Sequence, residues 1–296
     1  MLLQIDHTTV YRYARPVILG THRLMVRPME GHDVQVRSST LAITPACRTR
    51  WIQDVFGNSI AILDFAEPAA ELRVESRVTV EQYNTNPFDF VLDHHAGELP
   101  FRYSEDEAID IAPFLLRQFP QDEPAIQNWI RPYLNAQGRA RTLDFLTAIT
   151  RSMPLYFQYT RREEPGVQSP GETLNKRAGS CRDFALLLME AARQLGLAAR
   201  FASGYLCRAS SSNQTQEAAS DATHAWAEIY LPGAGWKGFD PTCGILAADL
   251  HLRVAVSRHP GQAAPVSGSF IGAPGDDLGM IVTVNARAAE DTPPAT

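Results

Sequence analysis

Residues 178–197 read Ala-Gly-Ser-Cys-Arg-Asp-Phe-Ala-Leu-Leu-Leu-Met-Glu-Ala-Ala-Arg-Gln-Leu-Gly-Leu. Phe184, Leu187, Leu188, Ala191, Ala192 and Leu195 recur at helical spacing and mark one buried face. Ser180 followed by Asp183 has the form of a capping box, so Ser180 is the expected N-cap and Cys181 the first helical residue. Gly196 stands where a left-handed C-terminal cap is expected. The thiol is thus placed at the positive end of a helix, among unpaired backbone N–H groups, and such an end favours a thiolate. The competing reading is a small apolar cysteine with no chemistry, as most free cysteines are. This stretch alone leaves the two even.

Residues 221–231, Asp-Ala-Thr-His-Ala-Trp-Ala-Glu-Ile-Tyr-Leu, alternate. His224, Trp226, Glu228 and Tyr230 fall on one strand face, and Ala225, Ala227, Ile229 and Leu231 on the other. Pro232-Gly233-Ala234-Gly235 turns the chain, and Trp236-Lys-Gly-Phe-Asp240-Pro241-Thr242 returns as a second strand ending at Pro241. If Tyr230 lies opposite Trp236, His224 and Asp240 share a face as diagonal neighbours. If Leu231 lies opposite Trp236, they fall on opposite faces. A thiolate that attacks a carbonyl, an imidazole that carries the proton and a carboxylate that orients the imidazole form a working set. Backbone N–H groups at a helix tip can hold an oxyanion. The plain alternatives stay open: His224 bonded to backbone, Asp240 as a turn residue before proline, Glu228 solvated. A Cys–His–Asp metal site is a further alternative, which the wide spacing does not support. Cys207 and Cys243 read as structural thiols with no evident activating partner.

Upstream, residues 1 to about 95 read as strands. Thr8–Tyr13, Val34–Arg37, Leu41–Thr44, a hairpin over 51–63 turning at Gly57-Asn58, and Leu72–Tyr83 are the candidates. Their spacing predicts an antiparallel sandwich. His7, His22 and His32 are scattered and form no ligand set. Residues 84–104 read as a linker, in which the adjacent His94 and His95 are too close in sequence to converge on one ion. From 105 the period becomes helical, over 105–119, 122–135 and 141–153. A short strand, Leu155–Tyr159, and a loop lead to the cysteine helix. Ala199–Leu206 is a strand, 208–222 a mobile polar loop, and Leu252–Ser257 and Leu278–Val284 are closing strands. Residues 286–296 read as a disordered tail.

The chain has 296 residues, 45% of them hydrophobic and 20% charged, with a formal net charge of −6. That fits a folded protein with a sizeable core and argues against a broad nucleic-acid surface. No apolar run approaches a membrane span, and the first residues, Met-Leu-Leu-Gln-Ile-Asp-His, do not form a secretory signal. A cytoplasmic location is expected. The cysteines at 47, 181, 207 and 243 form no zinc-type spacing, and no disulfide is expected in that compartment.

These blocks resemble the transglutaminase-like superfamily of papain-type folds. The matching segments are Gly179-Ser-Cys-Arg-Asp-Phe-Ala185, Gly196-Leu-Ala-Ala-Arg200 with Ser203-Gly-Tyr205, His224-Ala-Trp-Ala-Glu228, and Gly235-Trp236 running to Asp240-Pro-Thr242. The N-terminal part is similar to the β-domain of bacterial members, through Tyr11-Arg-Tyr13, Pro16-Val17, His22-Arg-Leu24, Trp51 and Asp54-Val-Phe-Gly-Asn58. After the core, Ser257-Arg-His-Pro260 departs from the Gly-Arg-Asp-Tyr-like segment of those relatives, which weakens any transfer of substrate preference. The resemblance implies an α+β chain: an antiparallel β-domain over 1–95, then a papain-like core of helices and antiparallel sheet over 96–285. It implies a Cys181 nucleophile, a His224 base and an Asp240 orienter. Tyr159 is carried as an oxyanion or substrate-contact candidate, and Trp226 as a packing residue beneath the histidine or a substrate wall. The expected reaction is acyl transfer on a peptide or amide through a thioester, with hydrolysis favoured over glutamine transamidation. A catalytically silent scaffold is the reading from another class. No cofactor, metal, nucleic acid or membrane partner is expected, and no calcium-loop pattern is present.

Overall fold

The computed structural model describes residues 1–83, 86–162, 166–207 and 223–289. The polar loop expected at 208–222 and most of the expected tail (290–296) lie outside these residues.

Alternating apolar and polar residues build six N-terminal strands: β1 (Leu2–Leu19), β2 (His22–Leu24), β3 (Val34–Thr44), β4 (Cys47–Gln53), β5 (Ser59–Phe65) and β6 (Ala69–Gln82). β6 pairs antiparallel with β1 and β3. β5 pairs antiparallel with β2 and β4 in a second sheet. Leu72 and Val74 of the first sheet meet Leu24, Ala61 and Leu63 of the second, with Tyr13, Val17 and Leu19 completing that core. The expected β-sandwich is therefore formed by two sheets burying one apolar face each.

The helices are α1 (Glu105–Asp110), α2 (Ala112–Leu115), α3 (Glu123–Ile130), α4 (Thr142–Tyr156), α5 (Pro170–Lys176) and α6 (Cys181–Gln194). The first two expected helices are shorter than their apolar period suggests. Pro113, Pro120 and Pro132 each stand at the start of a new helical turn, where a missing N–H does no harm. α4 continues through Pro154, so the strand expected at 155–159 shrinks to Gln158–Tyr159. α5 occupies part of the expected loop, capped by the Ser169 hydroxyl, which accepts from Glu172 N at 3.1 Å.

Four longer strands follow: β7 (Ala199–Leu206), β8 (Thr223–Leu231), β9 (Gly235–Asp240) and β10 (His251–Ser257). They form an antiparallel sheet in the order β9-β8-β7-β10, with Ile245–Leu246 outside β9. The apolar face of α6 (Phe184, Leu187, Leu188, Ala191) packs on Ala225, Ala227, Ile229 and Leu231 of β8, all buried. Each large apolar side chain there stabilises the fold by about 1.5–3 kcal/mol. No helix among the described residues is long and apolar enough to cross a membrane.

The C-terminal strands differ from expectation. Only His251–Ser257 joins the core sheet, beside β7. Leu278–Val284 lies within β11 (Asp277–Ala288), which pairs with β1 from Leu3↔Ala288 to Tyr13↔Asp277. Phe270–Ile271 also pairs with β1, and Val266–Ser267 with β2. The chain thus returns to the N-terminal sandwich instead of closing the core, and β11 runs into the segment expected as tail. The cause is the 18-residue β1, whose second edge needs a partner once β6 has taken the first.

The two parts are stitched by Asn58, which is fully buried. Its amide nitrogen donates to Val256 O at 2.7 Å and to Asp54 Oδ2 at 2.9 Å, and its Oδ1 accepts from Val256 N at 2.8 Å. The Gly57-Asn58 turn is thereby docked on β10. Asn58→Ala leaves both backbone groups of Val256 buried and unpaired. It is expected to lower unfolding free energy by about 2–5 kcal/mol in urea denaturation, and a change under 0.5 kcal/mol would contradict this role.

Candidate active site

Cys181 is the first residue of α6, partly buried against the main core. Ser180 is the N-cap, and the Asp183 carboxylate reaches back to it. Asp183 accepts from Ser180 N and Ser180 Oγ (both 2.8 Å), Gln168 N (2.7 Å) and Arg162 Nη1 (2.9 Å). The expected helix start therefore also holds the preceding loop. Gln158–Tyr159 runs parallel to Ala178–Gly179, and Thr160 N donates to Gly179 O at 2.9 Å.

Tyr230 lies opposite Trp236 and Leu231 opposite Gly235. This is the register that puts His224 and Asp240 on one face. The turn docks tightly: Gly233 has φ +83°, and a Cβ there would come within 2.6 Å of Asp93 N. On the other side of His224, Gly204 is its partner in β7, where a Cβ would meet Leu252 O at 2.1 Å and the Trp226 ring at 2.9 Å. Only glycine lets the strands approach this closely.

His224 Nε2 lies 2.8 Å from Asp240 Oδ2. One ligand-capable atom each of His224, Asp240 and Cys243 lie within 4.8 Å of one another, and the Cys181 thiol also acts on the protonation of the imidazole. Nε2 is committed to the carboxylate, so Nδ1 is the ring nitrogen left for the thiols. Burial disfavours the imidazolium, but the hydrogen bonds with Asp240, Cys181 and Cys243 outweigh it and hold the His224 pKa well above the ordinary value. Burial likewise opposes ionised Asp240, yet its histidine hydrogen bonds hold that carboxyl below the usual carboxylate range. Asp240 Oδ1 accepts from Thr242 N at 2.8 Å and Cys243 N at 3.1 Å.

Trp226 is buried, stacked on His224 at 6.3 Å and met edge-on by His251 at 5.2 Å. It packs beneath the histidine with Ala202 and Val256. Tyr159 is 46% exposed, beside Gly179 and two positions ahead of the thiol in the paired strand. Cys207 is buried, and burial pushes its thiol up to about 12.

Two neighbours escaped the sequence reading. His251 Nε2 lies 2.9 Å from Asp240 Oδ2, and its Nδ1 accepts from Ala248 N at 3.4 Å, which leaves Nε2 to donate. Cys243, a structural thiol by its sequence context, stands beside His224 and Asp240. Its signal lay in Asp240-Pro-Thr-Cys243: an aspartate accepting from the second and third residues after it folds the chain back over itself.

Glu228, for which a solvated position was one alternative, is buried between Arg200 (2.7 Å) and Arg253 (3.1 Å). Burial pushes its carboxyl up, but the two guanidiniums outweigh it and bring it to about 2. Glu228→Gln strands two cations at a buried site and is expected to cost about 3–5 kcal/mol near neutral pH. A depressed folded pKa contributes stability above the ordinary 4.5 and loses it as pH falls towards 2. The gap between variant and wild type in denaturant melts should therefore narrow through that window; a pH-independent gap would refute the charge argument.

Residues 132–241 match the transglutaminase-like superfamily, and residues 3–81 match the bacterial transglutaminase-like N-terminal region. An uncharacterized protein of Mycobacterium tuberculosis (strain ATCC 25618 / H37Rv) is 27% identical over 282 residues, covering 90% of this chain and 86% of that one. An uncharacterized protein of Mycobacterium leprae is 25% identical, covering 97% and 99%. Among solved structures, a candidate cysteine protease from Cytophaga hutchinsonii shares the fold at TM-score 0.70 and 21% identity, covering 99% of this chain and 93% of that one. With core and N-terminal region both matched, the chain belongs to the transglutaminase-like superfamily.

Proposed function

We propose that this chain is a cysteine amidase or peptidase that cleaves an amide through a thioester on Cys181. The observation that carries the proposal is the His224 imidazole bonded to Asp240 at 2.8 Å, with the Cys181 thiol at the tip of α6 acting on that imidazole. In this mechanism the Cys181 thiolate attacks the amide carbonyl carbon, and backbone N–H groups at the α6 tip face the developing oxyanion. As the C–N bond breaks, the imidazolium of His224 gives its proton to the leaving amine. Water then attacks the thioester while His224 takes a proton, releasing a carboxylic acid and the free thiol. Asp240 keeps the imidazole oriented and steadies its charge. Tyr159, exposed and paired with Gly179 two positions ahead of the thiol, serves as a substrate contact in this reading. Four free cysteines fit a reducing compartment, which supports placing the enzyme in the cytoplasm.

The test is turnover of peptide and amide libraries by the full chain, with and without an added primary amine. Carboxylate products that require Cys181 are expected. Amide products formed only with the amine would replace hydrolysis by transamidation. No Cys181-dependent product in either arm would refute the proposal and favour a non-catalytic scaffold.

A further inference from the structure

The core sheet has two faces. α6 covers one of them, through Ala225, Ala227, Ile229 and Leu231 of β8. Trp226 and Glu228 alternate with these and face the other way. On that side a cavity of about 120 Å³ lies between the sheet and the N-terminal domain. Met29 and Gln82 line it from the N-terminal domain, and Trp226, Trp236, His251 and Arg253 from the core. The two parts of the wall are tied together, because Met29 N donates to Arg253 O at 2.9 Å.

Two polar atoms of lining residues have no partner among the described residues. Gln82 is 4% exposed, and its Oε1 is buried and unpaired. Arg253 Nε is also buried and unpaired, while Nη1 of the same guanidinium donates to Glu228 at 3.1 Å. A buried acceptor and a buried donor are costly to leave open, and a ligand that completes both bonds removes that cost. The charges on the wall balance, Asp33 and Glu228 against Lys237 and Arg253. A lone anion meets two carboxylates there, and a lone cation meets two cations. A molecule carrying both signs meets each with its opposite. The two indole rings add apolar wall for a short carbon skeleton, and a cavity of this size holds about six non-hydrogen atoms.

We propose that this cavity binds a small zwitterionic α-amino acid, of the size of glycine, alanine or serine, with its carboxylate towards Arg253 Nε and its ammonium towards Gln82 Oε1. The ligand then rests against two side chains that support the triad. The Trp226 ring meets His251 at 5.2 Å, and His251 Nε2 donates to Asp240 Oδ2 at 2.9 Å. The binding itself does not rest on the thiol chemistry proposed above.

The test is calorimetric titration of the full chain with glycine, L-alanine and L-serine, with tryptophan emission followed in parallel. Saturable binding of at least one is expected, together with a shift in emission, since Trp226 and Trp236 line the cavity. Acetate and methylammonium carry one charge each and should bind weaker by about tenfold or more. Gln82→Met keeps the side-chain size, removes the acceptor and should weaken binding by about tenfold or more. Ala248→Met fills the cavity from the core side and should abolish binding. Gln168→Met, at a buried glutamine outside the cavity whose Oε1 is also unpaired, should leave the affinity unchanged. Thermal melts identify the variants that fold. The site is refuted if none of the three amino acids binds wild type saturably, a result that needs no variant. It is refuted equally if folded Gln82→Met and Ala248→Met keep wild-type affinity. Acetate or methylammonium binding as tightly as the amino acids would overturn the zwitterion assignment. Failure of Cys181 alkylation beside intact amino-acid binding would remove the thiol-enzyme proposal and leave this site standing.

Discussion

Iodoacetamide at pH 6 is expected to alkylate Cys181 about 100-fold faster than Cys47, and His224→Ala is expected to abolish the difference. An ordinary thiol, with a pKa near 8.5, is only about 0.3% thiolate at that pH. An imidazolium beside a thiol favours the thiolate, at some cost in nucleophilicity. His224 supplies that imidazolium. Burial alone would deprotonate it, but hydrogen bonds with Asp240, Cys181 and Cys243 keep its pKa raised. The sign follows: the preference should persist as pH rises past the ordinary histidine value of 6.5 and fade only as ordinary thiols ionise. Cys207, pushed to about 12 by burial, should stay unlabelled throughout. In turnover assays Cys181→Ala should lose roughly 10⁴–10⁶ in kcat/KM. Fast labelling of Cys243 instead would move the nucleophile to the second sulfur. Equal slow labelling of all four cysteines would remove the thiol chemistry altogether.

The helix bearing Cys181 was legible because its start, its apolar face and its end are all written in local residue types. The Tyr230–Trp236 register was legible only as a condition, since periodicity does not choose between two turns one residue apart. What was missed depends on which strand lies beside which. His251 reaches Asp240 because β10 pairs with β7 and so shares a sheet with β8 and β9. Nothing in the residues around 251 states that order. The same limit sent Leu278–Val284 to the wrong sheet: alternation marks a strand but not the edge it will join. Prolines cut the first helices short because apolar spacing survives a break that the backbone does not.

Replacing Asp240 by asparagine is expected to cost about 3–5 kcal/mol of stability and roughly 10⁴ in kcat/KM. Asp240 is fully buried and accepts on both oxygens: His224 and His251 on Oδ2, Thr242 N and Cys243 N on Oδ1. Asparagine can keep the two backbone donors with its carbonyl oxygen. Its NH₂ then faces two histidine Nε2 atoms that had been donating. His251 cannot easily change tautomer, because its Nδ1 accepts from Ala248 N. His224 can, but the change puts hydrogen on Nδ1 and removes the base that faces the thiol. The imidazolium also loses its counter-charge, so rapid Cys181 alkylation should retreat to higher pH, where ordinary thiols ionise. The stability effect has its own sign. A carboxyl held below its ordinary 3.8 contributes stability above that value and loses it as pH falls further. Wild type and Asp240→Asn should therefore converge in acid denaturation and separate towards neutral pH. Denaturant melts from pH 7 down to about pH 2 and alkylation rates across about pH 5–9 measure the two effects separately. A variant that melts less stably but alkylates Cys181 as fast as wild type would leave Asp240 a structural role and take it out of the chemistry.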